Sequence, residues 1–267
     1  MFEDNEIVDA IKENAGELAA EVYHDVAQPA AQPVGQLVGL VPRAVKAALF
    51  PLEKWILGRE YNLLETQKLL EQKLANISPE LIQPPEPYIA VPALQNISYC
   101  MDNEALRDMY ANLLANSMTE VVKDGVHPGF VDIIKQLCPD EAKILKYIST
   151  HITIPIITLR YESDNGGGID VIRNFSNIGE IVFCEKPLDV NKYFDNLIRL
   201  GLLENGGLTS FLVNKTFYEP LKNHRLIIQN SSDILVKNSG FDKANIKKGF
   251  IELTDYGKSF CEVCISK

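Results

Sequence analysis

The sequence predicts an α+β protein, with an all-helical first half over residues 1–138 and a mixed α/β second half over residues 139–267. Three observations carry this. Apolar residues recur every three or four positions through the first half, the period of a helix with one buried stripe. β-branched residues dominate only from His151 onward, in HITIPIITLRYE, as expected of a strand. Charge is also divided unevenly, since residues 1–138 carry 10 Lys/Arg and 20 Asp/Glu while residues 139–267 carry 16 of each.

In the first half, Ile7, Ile11, Ala15, Leu18, Val22 and Val26 predict an amphipathic helix over 3–26 with an acidic outer face. The uncharged run from Val26 to Pro42 is broken by Pro29 and Pro33, and Gly35 and Gly39 stand four apart. It falls short of the about 20 apolar residues that a membrane span needs, so it reads as a packed segment, with interfacial membrane contact as the alternative. Pro51 opens a helix to about Asn76 with Leu52, Ile56, Leu63, Leu70 and Leu74 on its apolar side. Ser78-Pro79-Glu80 reads as a helix start with Ser78 as cap. Gln83 to Pro87 holds three prolines and must run extended, as a stiff connector or a polyproline ligand. Asp102 or Asn103 begins the helix that carries Leu106, Met109, Tyr110, Leu113 and Leu114.

In the second half, Pro139 starts a helix with Asp140 and Glu141 in its first turn and lysines further on, the order that suits the helix dipole. After the strand comes the loop Ser163 to Gly168, which lacks the Lys-Ser/Thr of a phosphate loop and reads as a hairpin or flexible connection. A helix over Asp189–Leu200 buries Val190, Tyr193, Phe194, Leu197 and Leu200 and stops at Gly201. Strand-like pieces are expected over 202–253, and Thr254 then caps a last helix with Phe260 and Val263 inside.

The net charge of -10, with eight acids against Lys12 in the first 25 residues, argues against a nucleic-acid binder along the whole chain. Five scattered cysteines and an acidic start without a basic n-region predict a cytoplasmic chain. Cys261 and Cys264 form half of a metal set with no second pair beside them, so they read as packing groups. His24, His127, His151 and His224 have no catalytic spacing, and the side chain of His127 is suited to capping the helix after Pro128. No catalytic residue, metal set or cofactor site is expected.

The Pro84-Pro85-Glu86-Pro87-Tyr88 connector, the Leu113-Leu114-Ala115-Asn116-Ser117 block and His127-Pro128-Gly129-Phe130 resemble the Abi-alpha (abortive infection alpha) family over roughly residues 30–150. Leu253-Thr254-Asp255-Tyr256-Gly257-Lys258 resembles the family's C-terminal pattern. The resemblance implies a role in phage resistance and carries over no catalytic residue; His127, Pro128 and Phe130 form a turn expected to be structural. Leu197-Ile198-Arg199-Leu200-Gly201-Leu202-Leu203 followed by Phe250 to Gly257 separately resembles a winged helix, whose recognition helix would be 189–200.

That helix offers Lys192 and Arg199 against Asp189 and Asp195, and cations gather nearby at Lys215, Lys222, His224 and Arg225 and at Lys243, Lys247 and Lys248. Lys192, Arg199, Lys222 and Arg225 are therefore the candidate interaction surface. The neutral helix favours a protein partner, phage-derived or host, or a homo-oligomer. Nucleic-acid binding through the cations and membrane action through residues 26–57 are the alternatives.

Overall fold

The computed structural model describes residues 41–48, 63–151, 153–206, 212 and 214–265. The expected helix over 3–26 and all but residues 41–48 of the 26–57 segment lie outside them. Residues 41–48 are helical and bury Val45 and Ala48. Among the described residues no helix is long and apolar enough to cross a membrane.

The chain divides into two compact units. One comprises the described residues up to Asp102 together with Tyr110–Val131; the other comprises Asn103–Met109 and the described residues from Asp132 onward.

The first unit is helical. Helix α1 (Leu63–Leu74) buries Leu70 and Leu74. Ser78 does not cap a full helix: it precedes a single 3-10 turn, Pro79–Leu81, and makes no side-chain cap bond. The proline connector is extended from Gln83 and tied down by its backbone, with Gln83 N–H donating to Met118 O (2.8 Å) and Glu120 N–H to Leu81 O (3.1 Å). Helix α2 (Pro87–Ile97) then starts on a proline and holds a second, Pro92, inside. Pro at the first position forfeits no bond, since that N–H has no partner in any helix. Pro92 removes the bond to the Tyr88 carbonyl, on a residue 63% exposed where water can replace it. Burial of Ile89, Ala90, Ala93, Leu94 and Ile97 holds the helix against that loss.

Helix α3 (Glu104–Ser117) starts where the sequence places it, with Asn103 Oδ1 accepting the Leu106 N–H (3.1 Å). Residues Tyr110, Leu113 and Leu114 are fully buried. His127 and Pro128 lead into α4 (Gly129–Lys135).

In the second unit, α5 (Pro139–His151) is followed by a four-stranded antiparallel sheet in the order β2-β1-β4-β3, made by β1 (Thr153–Glu162), β2 (Gly168–Phe175), β3 (Leu203–Asn205) and β4 (Lys243–Leu253). The Ser163 to Gly168 loop closes the β1–β2 hairpin. Strands β1 and β4 pair in unbroken register from Thr153↔Glu252 to Glu162↔Lys243. Between β2 and β3 lie α6 (Ile178–Ile181) and α7 (Val190–Arg199). Helix α7 buries Val190, Tyr193, Phe194 and Leu197 and ends at Gly201 with φ of 73°, a left-handed stop.

The stretch read as strand-like over 202–253 is mixed. Among the described residues its strands lie at its two ends; between them come a 3-10 turn, Lys215–Tyr218, and helices α8 (Glu219–Lys222), α9 (Arg225–Asn230) and α10 (Asp233–Asn238). Tertiary packing decides this. Tyr218, Leu221 and Ile227 cover Ile157 and Phe175 of the sheet, and Val236 covers Leu159 and Tyr161. Tyr218 is the keystone of this layer: it is fully buried, donates to Gly249 O (3.0 Å) and accepts from Leu212 N–H (2.9 Å). We expect Tyr218→Phe to lower unfolding free energy by about 1–2 kcal/mol in urea titration, because it strands the buried Gly249 carbonyl and the half-buried Leu212 N–H together.

Helix α11 (Asp255–Cys264) closes the fold, with Thr254 Oγ1 accepting the Gly257 N–H (2.8 Å) as the sequence predicts.

Candidate docking surface

Asp140 and Glu141 do more than suit a helix dipole. Both are buried, at the start of α5. Glu141 Oε2 accepts the Cys138 N–H (2.8 Å), the reach-back half of a capping box, while its Oε1 accepts Asn196 Nδ2 of α7 (2.9 Å). Asp140 accepts four bonds: Glu185 N–H (3.0 Å) and Lys143 Nζ (3.2 Å) on Oδ1, Lys186 N–H (3.2 Å) and Tyr193 OH (2.8 Å) on Oδ2. Burial alone would push its carboxyl up, but these donors outweigh it and hold it below the ordinary carboxylate value. Tyr193 is pushed up by burial and by its bond to Asp140. The Cys184 thiol is pushed up to about 11, first by burial and then by the Asp140 charge. A carboxylate with its lone pairs fully engaged binds the α6–α7 segment to α5; its chemistry is that of a clasp.

The clasp fixes an unusual helix end. Helix α6 stops with Phe183 N–H donating to Glu180 O (3.3 Å) and Cys184 N–H to Gly179 O (2.8 Å). These are the two bonds of a Schellman stop, whose left-handed position normally falls to glycine. Here Phe183 occupies it, at φ of 53°. Such a conformation costs an aromatic residue on the order of 1–2 kcal/mol. Lys143 Nζ donates to the Phe183 carbonyl (2.9 Å), and the ring points outward, 85% exposed. Ile181, two positions before it, and Leu188, five after, are 47% and 55% exposed. No residue motif announced this helix stop; its signal was an Ile-Val-Phe run at a helix end where a glycine belongs.

The four cations singled out from sequence are divided among three helices. Lys192 and Arg199 are on α7, where Lys192 pairs with Asp189 (2.9 Å) and Arg199 bonds Gln136 Oε1 (3.0 Å) and Asn196 Oδ1 (2.7 Å). Lys222 ends α8 and pairs with Glu219 (2.7 Å), and Arg225 opens α9 as an exposed side chain. No hydrogen bond or ion pair among the described residues joins the first two to the second two. In the other cationic set, Lys243 pairs with Asp164 and Lys248 lies 5.4 Å from the Tyr218 ring centroid.

His127 Nδ1 accepts the Gly129 N–H (3.0 Å) at the start of α4, and its ring lies 5.8 Å from that of buried Phe130. Pro128 lies between them, so the motif turn is a helix start built on an imidazole. His224 repeats the device at α9, with Nδ1 accepting the Leu226 N–H (3.2 Å). Cys261 and Cys264 are buried, and burial pushes the Cys261 thiol up to about 12 and the Cys264 thiol well above its ordinary value. They serve as small packing groups on α11.

A family model described as "Abortive infection alpha" matches residues 58–264. The match therefore continues through the second half, where the motif resemblance is thin. No curated protein matches. One solved structure, of an uncharacterized protein from the hydrocarbon-degrading marine bacterium Alcanivorax borkumensis SK2, is similar at 17% identity, covering 51% of this chain and 92% of that chain with a TM-score of 0.36.

Proposed function

Because this chain belongs to the abortive infection alpha family, we propose that it acts in resistance to phage by docking a protein partner through a winged-helix-like domain over residues 139–267. Supporting that reading, α5, α6 and α7 precede two strands, β3 and β4, that pair with each other, and β1 flanks β4 on its other side. Helix α7 then holds the recognition position. The connection from β3 to β4 carries helices α8 to α10 in place of a tight wing.

The observation that favours a protein over nucleic acid is the state of α7. Lys192 is neutralised by Asp189 and Arg199 is engaged with Gln136 and Asn196, so the helix offers no free guanidinium or ammonium array to phosphates. Paired charges on an exposed helix face suit the polar rim of a protein interface.

The test is phage challenge of cells expressing the wild-type chain or the Lys192→Glu/Arg199→Glu variant. Both side chains are exposed, so the fold should survive, and about tenfold loss of protection is expected if α7 contributes a modest interface term. Undiminished protection removes α7 from the docking surface. A purified chain that shifts DNA at low salt and releases it steeply as salt rises replaces the reading with nucleic-acid binding.

A further inference from the structure

We propose that His224 is a pH-sensitive latch: as a neutral imidazole it pins the start of α9 to α6, and on gaining a second proton it keeps α6 and lets α9 go. The latch is a property of the chain by itself and does not rest on the docking reading.

Both ring nitrogens are committed. Nδ1 accepts the Leu226 N–H (3.2 Å), so it carries no proton. The proton of the neutral ring therefore sits on Nε2, which donates to Glu180 Oε1 of α6 (3.0 Å). The ring packs on Phe175 at the end of β2, with centroids 4.8 Å apart, and the side chain is only 16% exposed. One tautomer is thus fixed by three elements. The junction matters to the core, because Phe175 of β2 and Ile227 of α9 are buried in one cluster and Leu226 packs against it.

A second proton can go only to Nδ1. There it turns the acceptor of the Leu226 N–H into a donor aimed at a donor, and the cap is lost. At Nε2 the opposite happens, since the bond to Glu180 becomes one between an imidazolium and a carboxylate and tightens. Protonation therefore redistributes the two bonds: the ring stays with α6 and the first turn of α9 is freed. A histidine in open water has no such consequence, because solvent serves either form.

The neighbouring charges leave this outcome intact. On α8, Lys222 is paired with Glu219 (2.7 Å). Arg225 opens α9 as an exposed side chain, and on β2 the exposed Arg173 stands two positions before Phe175. Among the described residues the ring bonds only Glu180 and the Leu226 N–H, so a proton on Nδ1 finds no carboxylate to receive it.

NMR of the full chain with 15N labelling, at pH 8 and pH 5, spans the window in which imidazoles gain their charge. At pH 8 the ring nitrogens of His224 are expected to report the Nε2–H tautomer. At pH 5 the Leu226 amide is expected to lose about fivefold in hydrogen-exchange protection, the size of a lost helix cap. The Gly257 amide, capped by the Thr254 hydroxyl, should hold its protection, which separates a local release from a weakened fold. His224→Asn keeps a capping acceptor that does not titrate and should give Leu226 the same protection at both pH values. The wild-type readouts decide the matter even where that variant folds poorly. An Nδ1–H tautomer at pH 8 overturns the latch. So does Leu226 protection that is equal at both pH values in wild type, that falls as far in His224→Asn, or that falls together with Gly257.

Discussion

Replacing Asp140 with alanine is expected to lower the unfolding free energy by about 4 kcal/mol, as measured by urea denaturation at neutral pH. The carboxylate accepts bonds from Tyr193 OH, Lys143 Nζ and the Glu185 and Lys186 N–H groups. Its removal leaves the buried Tyr193 hydroxyl and two half-buried backbone donors without their acceptor, which is costly, while Lys143 keeps the Phe183 carbonyl and water. A change below about 1 kcal/mol would mean that water enters and satisfies them. The pH dependence carries an independent signature. The folded-state carboxyl lies below its ordinary value of 3.8, so its contribution is complete above that value and disappears as pH falls through the lower folded one. Wild type and Asp140→Asn should therefore converge in stability on acidification. A gap that stays constant down to the acid transition would show that the bonds serve the neutral form equally well.

Gly257→Ala is expected to be comparably damaging, against the direction that helix propensity suggests. Within α11, alanine would gain about 1 kcal/mol over glycine from propensity alone. A Cβ at this position, however, would stand 2.0 Å from the Leu202 carbonyl oxygen and 2.8 Å from the carbon behind it. Both are backbone atoms, and no rotamer change relieves the overlap. The helix start is also pinned where it is, since Thr254 N–H donates to Leu202 O (3.1 Å) and Thr254 Oγ1 accepts the Gly257 N–H. Steric overlap wins, and a net loss of about 3 kcal/mol is expected in thermal or urea unfolding. Stabilisation by Gly257→Ala would show that α11 can lift off Leu202.

The parts of this architecture that rest on local chemistry are legible in the sequence. Asn103 before α3, Gly201 after α7 and Thr254 before α11 each perform the capping or stopping role that their residue type suits. The β1 strand follows from its β-branched residues. What escapes is settled by distant partners. Helix α2 is hidden because Pro87 and Pro92 argue against it, and only its buried Ile, Leu and Ala face overrules them. Residues 219–238 look strand-like by composition but pack as short helices, since Tyr218, Leu221 and Ile227 must cover the sheet. Asp140 and Glu141 fit a first turn so well that nothing local hints at their bonds to residues more than 40 positions away. Of the residues proposed from sequence as a surface, Lys192, Arg199 and Lys222 have partners within the chain, and spacing alone does not reveal that of Arg199 with Gln136.

Strand β4 is made late and sits in the middle. It is the neighbour of both β1 and β3, and its pairing with β1 joins residues about 80 to 100 positions apart. During synthesis, the β1–β2 hairpin must emerge from the ribosome and wait with one edge bare while α6 to α10 follow. That open edge is a place where a neighbouring chain can pair until β4 covers it. A chain cut short before β4 would carry a sheet that lacks one of its two central strands.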